Sequence, residues 1–285
     1  MKFIKEARPS SDGGDLAVDL VSDLHADYWD RRYHGVASIV IGPQLHAPAI
    51  RPSSGPRRPR ILVVAGDTTD SMPASLRYLD EQFRAEYDWI LLVDGNHEHM
   101  ESRPRLFPHA AVEPLVRAWN ERRDGARLVY LPLQTFRIGG VAFVGSCLWW
   151  DYASGRRSPS HHDDAYSRAV RVRAREDWDD LRRRLETLNT DPTVTTVVVV
   201  SHTVPHAEVL NWSSQDSGTH VNAAASAGIL RERWRFPKVK FWLSGHSHDT
   251  HDQVMGGVRL VANPRGRPLD HNRVWYARRS VLIRE

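Results

Sequence analysis

Five apolar runs in this chain each stop just short of a residue that can bind a cation. Leu16–Val21 leads to Asp23, Ile61–Ala65 to Asp67, Trp89–Val93 to Asn96, Val194–Val200 to His202, and Val239–Leu243 to His246. The runs are rich in valine, leucine and isoleucine with little polar alternation, so each reads as a strand buried on both faces. Leu128–Leu131, Val141–Ser146, Val258–Ala262 and Val281–Ile283 share that character. Helical patterns lie between several runs, at Ala74–Tyr87, Val112–Arg122 and about Asp164 to Asn189. In the last, Tyr166, Val170, Ala174, Trp178, Leu181, Leu185 and Leu188 follow the spacing of one buried stripe. Strands alternating with helices predict an α/β sandwich with at least one mixed sheet. Ligands of open α/β sheets bind beyond the carboxyl ends of the strands. The fold is therefore expected to carry the five strand-end residues to one rim.

A chain of 285 residues can bury a full core, and a single domain over 1–285 is expected. No apolar run is long enough to cross a bilayer, and Met1 to Asp15 is polar, without the apolar segment of a signal peptide. Cys147 is the only cysteine, so no intrachain disulfide can form. It reads as a packed core thiol, and the expected location is the cytoplasm. The net charge of +4 suits an anionic substrate. No long basic stripe with interleaved aromatics is present, so extended nucleic acid is not an expected partner. Two segments read as insertions. The first, 42–60, is rich in Pro, Arg and Ser and is expected to be a mobile loop. The second, 149–162, begins Trp149-Trp150-Asp151-Tyr152 and is a candidate substrate loop, with Trp150 as its candidate contact.

The strand-end residues belong to five blocks: Asp23-Leu24-His25, Gly66-Asp67, Gly95-Asn96-His97-Glu98, Ser201-His202 and Gly245-His246-Ser247-His248. Asp23 and His25 are two residues apart, so on extended backbone their side chains would point the same way. Gly66 allows a tight turn before Asp67, whose two oxygens can bridge two ions. Asn96 adds a neutral oxygen. His202, His246 and His248 add imidazoles, which suit Mn, Fe, Zn or related ions rather than Mg or Ca. Two ions about 3.5–4 Å apart can hold a bridging hydroxide and stabilise phosphoryl transfer. His97 adjoins Asn96 but would point elsewhere, which makes it the candidate general acid. Asp70 is a candidate to orient His97, or else to cap the helix that Ser71, Met72 and Pro73 lead into. His99, His206 and His251 lie near the blocks and are candidates for outer support. His34, His46, His109, His220 and His271 read as structural or solvated.

The order D-x-H, G-D, G-N-H-E, H, G-H-x-H resembles that of the calcineurin-like metallophosphoesterases, from Asp23 to His248. The resemblance implies a four-layer α/β/β/α sandwich with a dimetal site at the C-terminal rim of the sheets. It implies one ion held by Asp23, His25, Asp67 and His248, and another by Asp67, Asn96, His202 and His246. Asp67 would bridge and His97 would match the catalytic histidine. Mn or Fe is the expected metal, with Zn, Ni or Co as alternatives. Asn263-Pro264-Arg265-Gly266 also resembles a segment of some bacterial members, which makes Arg265 a candidate phosphate contact beside its reading as a turn residue. The protein-phosphatase branch has a glycine after the first histidine and an arginine after the second-block aspartate. Ala26 and Ser71 stand there, against a phosphoprotein substrate. The chain is also short for a multi-domain nuclease. The expected activity is dimetal-dependent hydrolysis of a small phosphorylated substrate, a phosphodiester ahead of a phosphomonoester. A nuclease or nucleotide pyrophosphohydrolase is the alternative. A non-catalytic scaffold ranks lower, because every ligand position is filled.

Overall fold

A computed structural model of the chain describes residues 2–7, 15–29, 59–152, 164–210, 221–222, 235–268, 270 and 276–284. The apolar runs form two sheets. One contains β2 (Leu16–Val21), β3 (Ile61–Ala65), β4 (Trp89–Val93), β5 (Arg127–Tyr130) and β12 (Arg279–Ile283), in the order β12-β2-β3-β4-β5. β2 to β5 are parallel, and β12 pairs antiparallel with β2 at the edge. The other contains β1 (Lys2–Ala7), β6 (Gln134–Ile138), β7 (Val141–Ser146), β8 (Thr196–Ser201), β9 (Val239–Ser244), β10 (His251–Met255) and β11 (Val258–Ala262). Its order is β1-β6-β7-β8-β9-β11-β10.

The burial of alternate strand residues sets the layers. Val63 and Ala65 of β3 share one apolar cluster with Phe143, Val198 and Leu243 of the other sheet. Their neighbours Leu62 and Val64 pack instead with Ala26 of α1 (Ala26–Trp29), with Leu76 and Leu79 of α2 (Met72–Phe83) and with Val116 and Trp119 of α3 (Glu113–Glu121). On the far side, Val197, Val199 and Trp242 pack with Leu181, Leu185 and Leu188 of α4 (Ala165–Thr190). The result is the α/β/β/α order that the resemblance implies. Every residue of β3, β7 and β8 is buried, as continuous apolar runs require. α2 begins earlier than its apolar pattern, because Pro73 is tolerated in a first turn and Ser71 takes the extended N-cap position.

Three strands differ from the sequence expectation. β1 falls in the polar N-terminal stretch and pairs parallel with β6. β6 and β10 are arms of tight hairpins, β6–β7 through Gly139-Gly140 and β10–β11 through Gly256-Gly257. His251, a candidate for outer support, lies in β10 opposite Ala262 and bonds to the Asp249 backbone. Of the two expected insertions, 42–58 and 153–162 lie outside the described residues, as do His34, His46, His220 and His271. Among the described residues no helix is long and apolar enough to cross a membrane.

Candidate metal centre

The five blocks fold as tight loops at one sheet rim. Asp23, His25, Asp67, His246 and His248 take left-handed backbone, with φ of 49°, 43°, 55°, 68° and 56°. Asp23 and His25 therefore share the rim through two left-handed residues, not through the extended backbone expected from their spacing. Non-glycine residues in this region cost of order 1 kcal/mol each, and such strain persists where the surroundings hold it. Here the first two blocks run side by side. Asp23 N donates to Gly66 O at 2.9 Å, His25 N to Asp67 O at 3.1 Å, and Ala26 N to Thr68 O at 2.8 Å. Glu98 supports the same loop. Its carboxylate accepts from Asp67 N (3.0 Å), Thr68 N (2.7 Å), Gly95 N (2.7 Å) and Ser75 Oγ (2.9 Å). Burial and the nearby Asp67 charge push Glu98 up to about 7. Gly66 has φ of 80°, and a Cβ there would lie 2.5 Å from His202 Nδ1. At Gly95 a Cβ would collide with the Asp67 carboxylate.

All seven candidate ligands come together. His25 Nε2 and His248 Nε2 are 3.0 Å apart, and His248 Nε2 is 3.4 Å from Asp23 Oδ1. His202 Nε2 lies 3.1 Å from Asn96 Oδ1, 3.1 Å from His246 Nδ1 and 3.2 Å from Asp67 Oδ2. Asp67 Oδ2 is also 3.9 Å from His25 Nε2, so it stands between the two groups. The donor set can be tested by proton inventory. Ala65 O, 2.9 Å from His202 Nδ1, can only accept, so the proton of the neutral ring sits on Nδ1. His202 Nε2 then points its lone pair at two further acceptors, Asn96 Oδ1 and Asp67 Oδ2. Likewise the Asp270 carboxylate, 2.5 Å from His248 Nδ1, leaves the lone pair of a neutral His248 Nε2 facing the Asp23 carboxylate. Acceptors facing acceptors need a shared positive charge, which a ring proton or a metal ion supplies, and the two donor sets on either side of Asp67 fit two metal ions.

The electrostatics agree. Burial lowers the proton affinity of His202 and His248, yet Asp67 and Asp23 override it and hold the two imidazoles at about 10 and about 9. His25 goes the other way, to about 3, because burial outweighs the pull of Asp67. Burial would raise Asp23, but His248 holds it at about 2.

His97 stands beside the cluster. Its backbone N donates to Asp67 Oδ1 at 2.8 Å, and its ring Nδ1 meets Asp70 Oδ1 at 2.5 Å. Asp70 is thus the His97 partner, while Ser71 holds the N-cap position of α2. Burial works against charge on His97, and Asp67 and Asp70 raise its pKa nonetheless. On the other ring face, Arg267 Nη2 is 2.6 Å from His97 Nε2.

The two candidate substrate contacts sit differently from expectation. Trp150 is 5% exposed and lies flat on His246, with ring centroids 5.3 Å apart at 16°. It braces a candidate ligand instead of offering an open face for stacking. Arg265 is 6% exposed, lies 4.3 Å over the Trp29 ring and has Tyr78 as its hydrogen-bond partner. The arginine that reaches the cluster is Arg267, two residues on. Sequence reasoning also passed over Asp270 and Glu98. Glu98 lies within a quoted block, but its role depends on three backbone amides brought together by folding. The other histidines have plain duties. His206 Nδ1 accepts from Glu208 N at 3.2 Å, and His99 Nε2 bonds Asp94 at 2.7 Å.

A family model described as calcineurin-like phosphoesterase matches residues 16–250. No curated protein sequence matches the chain. Among solved structures, phosphopantetheinyl hydrolase from Mycobacterium tuberculosis superposes with a TM-score of 0.57 at 20% identity, over 90% of this chain and 92% of its own. A dimetal phosphatase from Danio rerio superposes with a TM-score of 0.50 at 13% identity, over 87% of each chain. At these identities the structures establish the shared fold, and the family model, spanning all five blocks from Asp23 to His248, establishes descent. The chain belongs to the calcineurin-like phosphoesterase family and is a metal-dependent hydrolase of phosphate esters.

Proposed function

We propose that the chain hydrolyses a small phosphodiester, with His97 as the general acid and with Asp23, His25, Asp67 and His248 holding one metal ion and Asp67, Asn96, His202 and His246 the other. The observation that carries this reading is the convergence of acceptor atoms on both sides of Asp67, with His97 alongside. Mn or Fe suits the mixed imidazole and oxygen donors, with Zn, Ni or Co as alternatives. When bound, two such ions would supply a nucleophile from water and positive charge for the phosphate oxygens.

The chain's own residues supply the rest. Asp70 fixes the His97 ring through Nδ1 and favours its charged form. His97 Nε2 is then the atom that hands a proton to the departing oxygen. Glu98 and the Gly66 and Gly95 turns hold Asp67 in place. Trp150 and Asp270 orient His246 and His248. The same reading takes the chain as one domain acting in the cytoplasm, where a lone buried thiol such as Cys147 stays reduced.

The test compares Mn-loaded protein on bis(4-nitrophenyl) phosphate and on 4-nitrophenyl phosphate, with His97→Ala and Asp67→Asn as controls. Diester turnover that falls by about 100-fold or more in both variants supports the reading. Preference for the monoester would replace the diesterase with a phosphatase. No turnover of either ester by folded, metal-loaded protein would remove the catalytic assignment.

A further inference from the structure

We propose that Arg267 anchors an anionic group on the leaving-group side of the scissile bond, so that the site selects phosphodiesters whose leaving group carries its own charged oxygen, as across a diphosphate bridge. The inference rests on the reading of His97 as general acid. Arg267 Nη2 lies 2.6 Å from His97 Nε2, the atom that would protonate the departing oxygen. A guanidinium only donates, so while it caps Nε2 that nitrogen is an acceptor and the ring is neutral, and Nε2 can carry the proton it transfers only once the contact opens. A substrate that sets its leaving oxygen against Nε2 takes the place of that contact. The guanidinium then borders whatever the leaving group carries next to that oxygen.

The placement is built in. Arg267 N donates to Asp270 Oδ2 at 2.5 Å, and the same oxygen receives His248 Nδ1 at 2.5 Å. The residues before it are laid along the first block, with Arg265 N on Ser22 O at 3.0 Å and Gly266 N on Asp23 O at 2.9 Å. Trp29 Nε1 closes on Gly266 O at 2.9 Å. The guanidinium lies 5.3 Å over Tyr28, whose ring is 6.4 Å from that of His97. Its Nε is buried and has no hydrogen-bond acceptor among the described residues. Buried donors are normally satisfied, and an arginine fork is suited to two oxygens of one phosphoryl group. An uncharged alcohol as leaving group would leave that donor unmatched. A phosphorylated one would satisfy it once the guanidinium leaves His97 Nε2 and uncovers Nε.

Calorimetry on Mn-loaded protein tests this without turnover. Inorganic phosphate and the non-hydrolysable imidodiphosphate are titrated into wild type, Arg267→Gln and Arg267→Lys, with metal content and melting temperature checked for each. Wild type is expected to bind imidodiphosphate more tightly than phosphate. That preference should fall about tenfold in Arg267→Gln and recover in part in Arg267→Lys. With bis(4-nitrophenyl) phosphate and a diphosphate-bridged dinucleotide as substrates, the KM penalty of Arg267→Gln should be about tenfold larger for the dinucleotide. An unchanged preference in Arg267→Gln, or equal losses on both ligands, overturns the assignment. A wild-type preference near one overturns it without any variant. Binding that follows the prediction while no ester is hydrolysed would sustain Arg267 as the anion anchor and refute the catalytic reading alone.

Discussion

Asp67 carries more of the site than any other side chain. Its Oδ2 faces His202 at 3.2 Å and His25 at 3.9 Å, and its Oδ1 takes the His97 amide at 2.8 Å. Removing it takes the shared carboxylate from both proposed metal positions and leaves His97 N unpaired, so Asp67→Ala should lose metal as well as activity. His97→Ala should differ. It should keep its metals and lose about 100- to 1,000-fold in kcat, most with a poor leaving group, because only the proton donor is gone. Metal analysis beside a comparison of 4-nitrophenyl and alkyl diesters separates the two cases. The candidate ligands were legible because each follows an apolar run that had to be a strand. Their supports were not. Asp270 lies 22 residues after His248, and nothing in composition ties the two until the chain folds back. The segment from Asn263 drew attention to an arginine, but the turn at Gly266 decides which one points inward. It sends Arg265 over Trp29 and Arg267 to His97.

At the scale of elements, two polar links span the layers of the sandwich. Arg184 of α4 is buried and donates to Leu131 O at 2.8 Å and Gly145 O at 3.1 Å, one at the end of each sheet. Arg184→Met should keep the packing volume but remove the donor from both carbonyls, with Leu131 O left only the Gln134 amide at 3.3 Å, and part Asp180 from its 2.7 Å partner. It should cost about 2–4 kcal/mol in urea unfolding, and a cost under about 0.5 kcal/mol would contradict the link. The second link centres on His109. Its Nδ1 meets Tyr130 Oη at 2.9 Å, its Nε2 meets Asp177 at 3.0 Å, and Tyr130 passes its own proton to Asp94 at 2.6 Å. Both ring nitrogens therefore donate, which requires the charged imidazolium. Burial opposes that charge, but Asp177 and Asp94 raise the His109 pKa above its ordinary value. A raised folded-state pKa stabilises fully below about pH 6.5 and is lost as pH rises through the folded value. The destabilisation by His109→Gln should thus be larger at pH 6 than at pH 9, and the reverse order would refute the charged bridge. His109 had read as a bland residue, since neither Asp177 nor Tyr130 is near it in sequence. The central strands and three helices were legible from apolar periodicity. The two edge strands of the larger sheet, β1 and β10, were not, because β1 falls in a polar stretch and β10 is largely solvent-facing and carries no apolar run. The signal for it was Gly256-Gly257, with φ of 55° and 75°, a two-residue turn that joins hairpin arms.

For the whole molecule, the rim is where strain and like-charged groups collect. Five left-handed residues and the buried carboxylates of Asp23, Asp67 and Glu98 lie within the same few loops. Such a rim should be stabilised by any cation that binds the folded chain and not the unfolded one. At a free metal concentration of about 100 times Kd the gain is about 2.7 kcal/mol, which raises the melting temperature by about 5 °C in a chain of this size. EDTA should reverse the shift, and scanning calorimetry checks it. The most direct test of the account is the metal content of the protein after Mn loading and gel filtration, in wild type and in Asp67→Ala. The account predicts about two ions per chain in wild type and fewer than one in the variant. A wild type that retains a single ion, or an Asp67→Ala chain that keeps two, would contradict it.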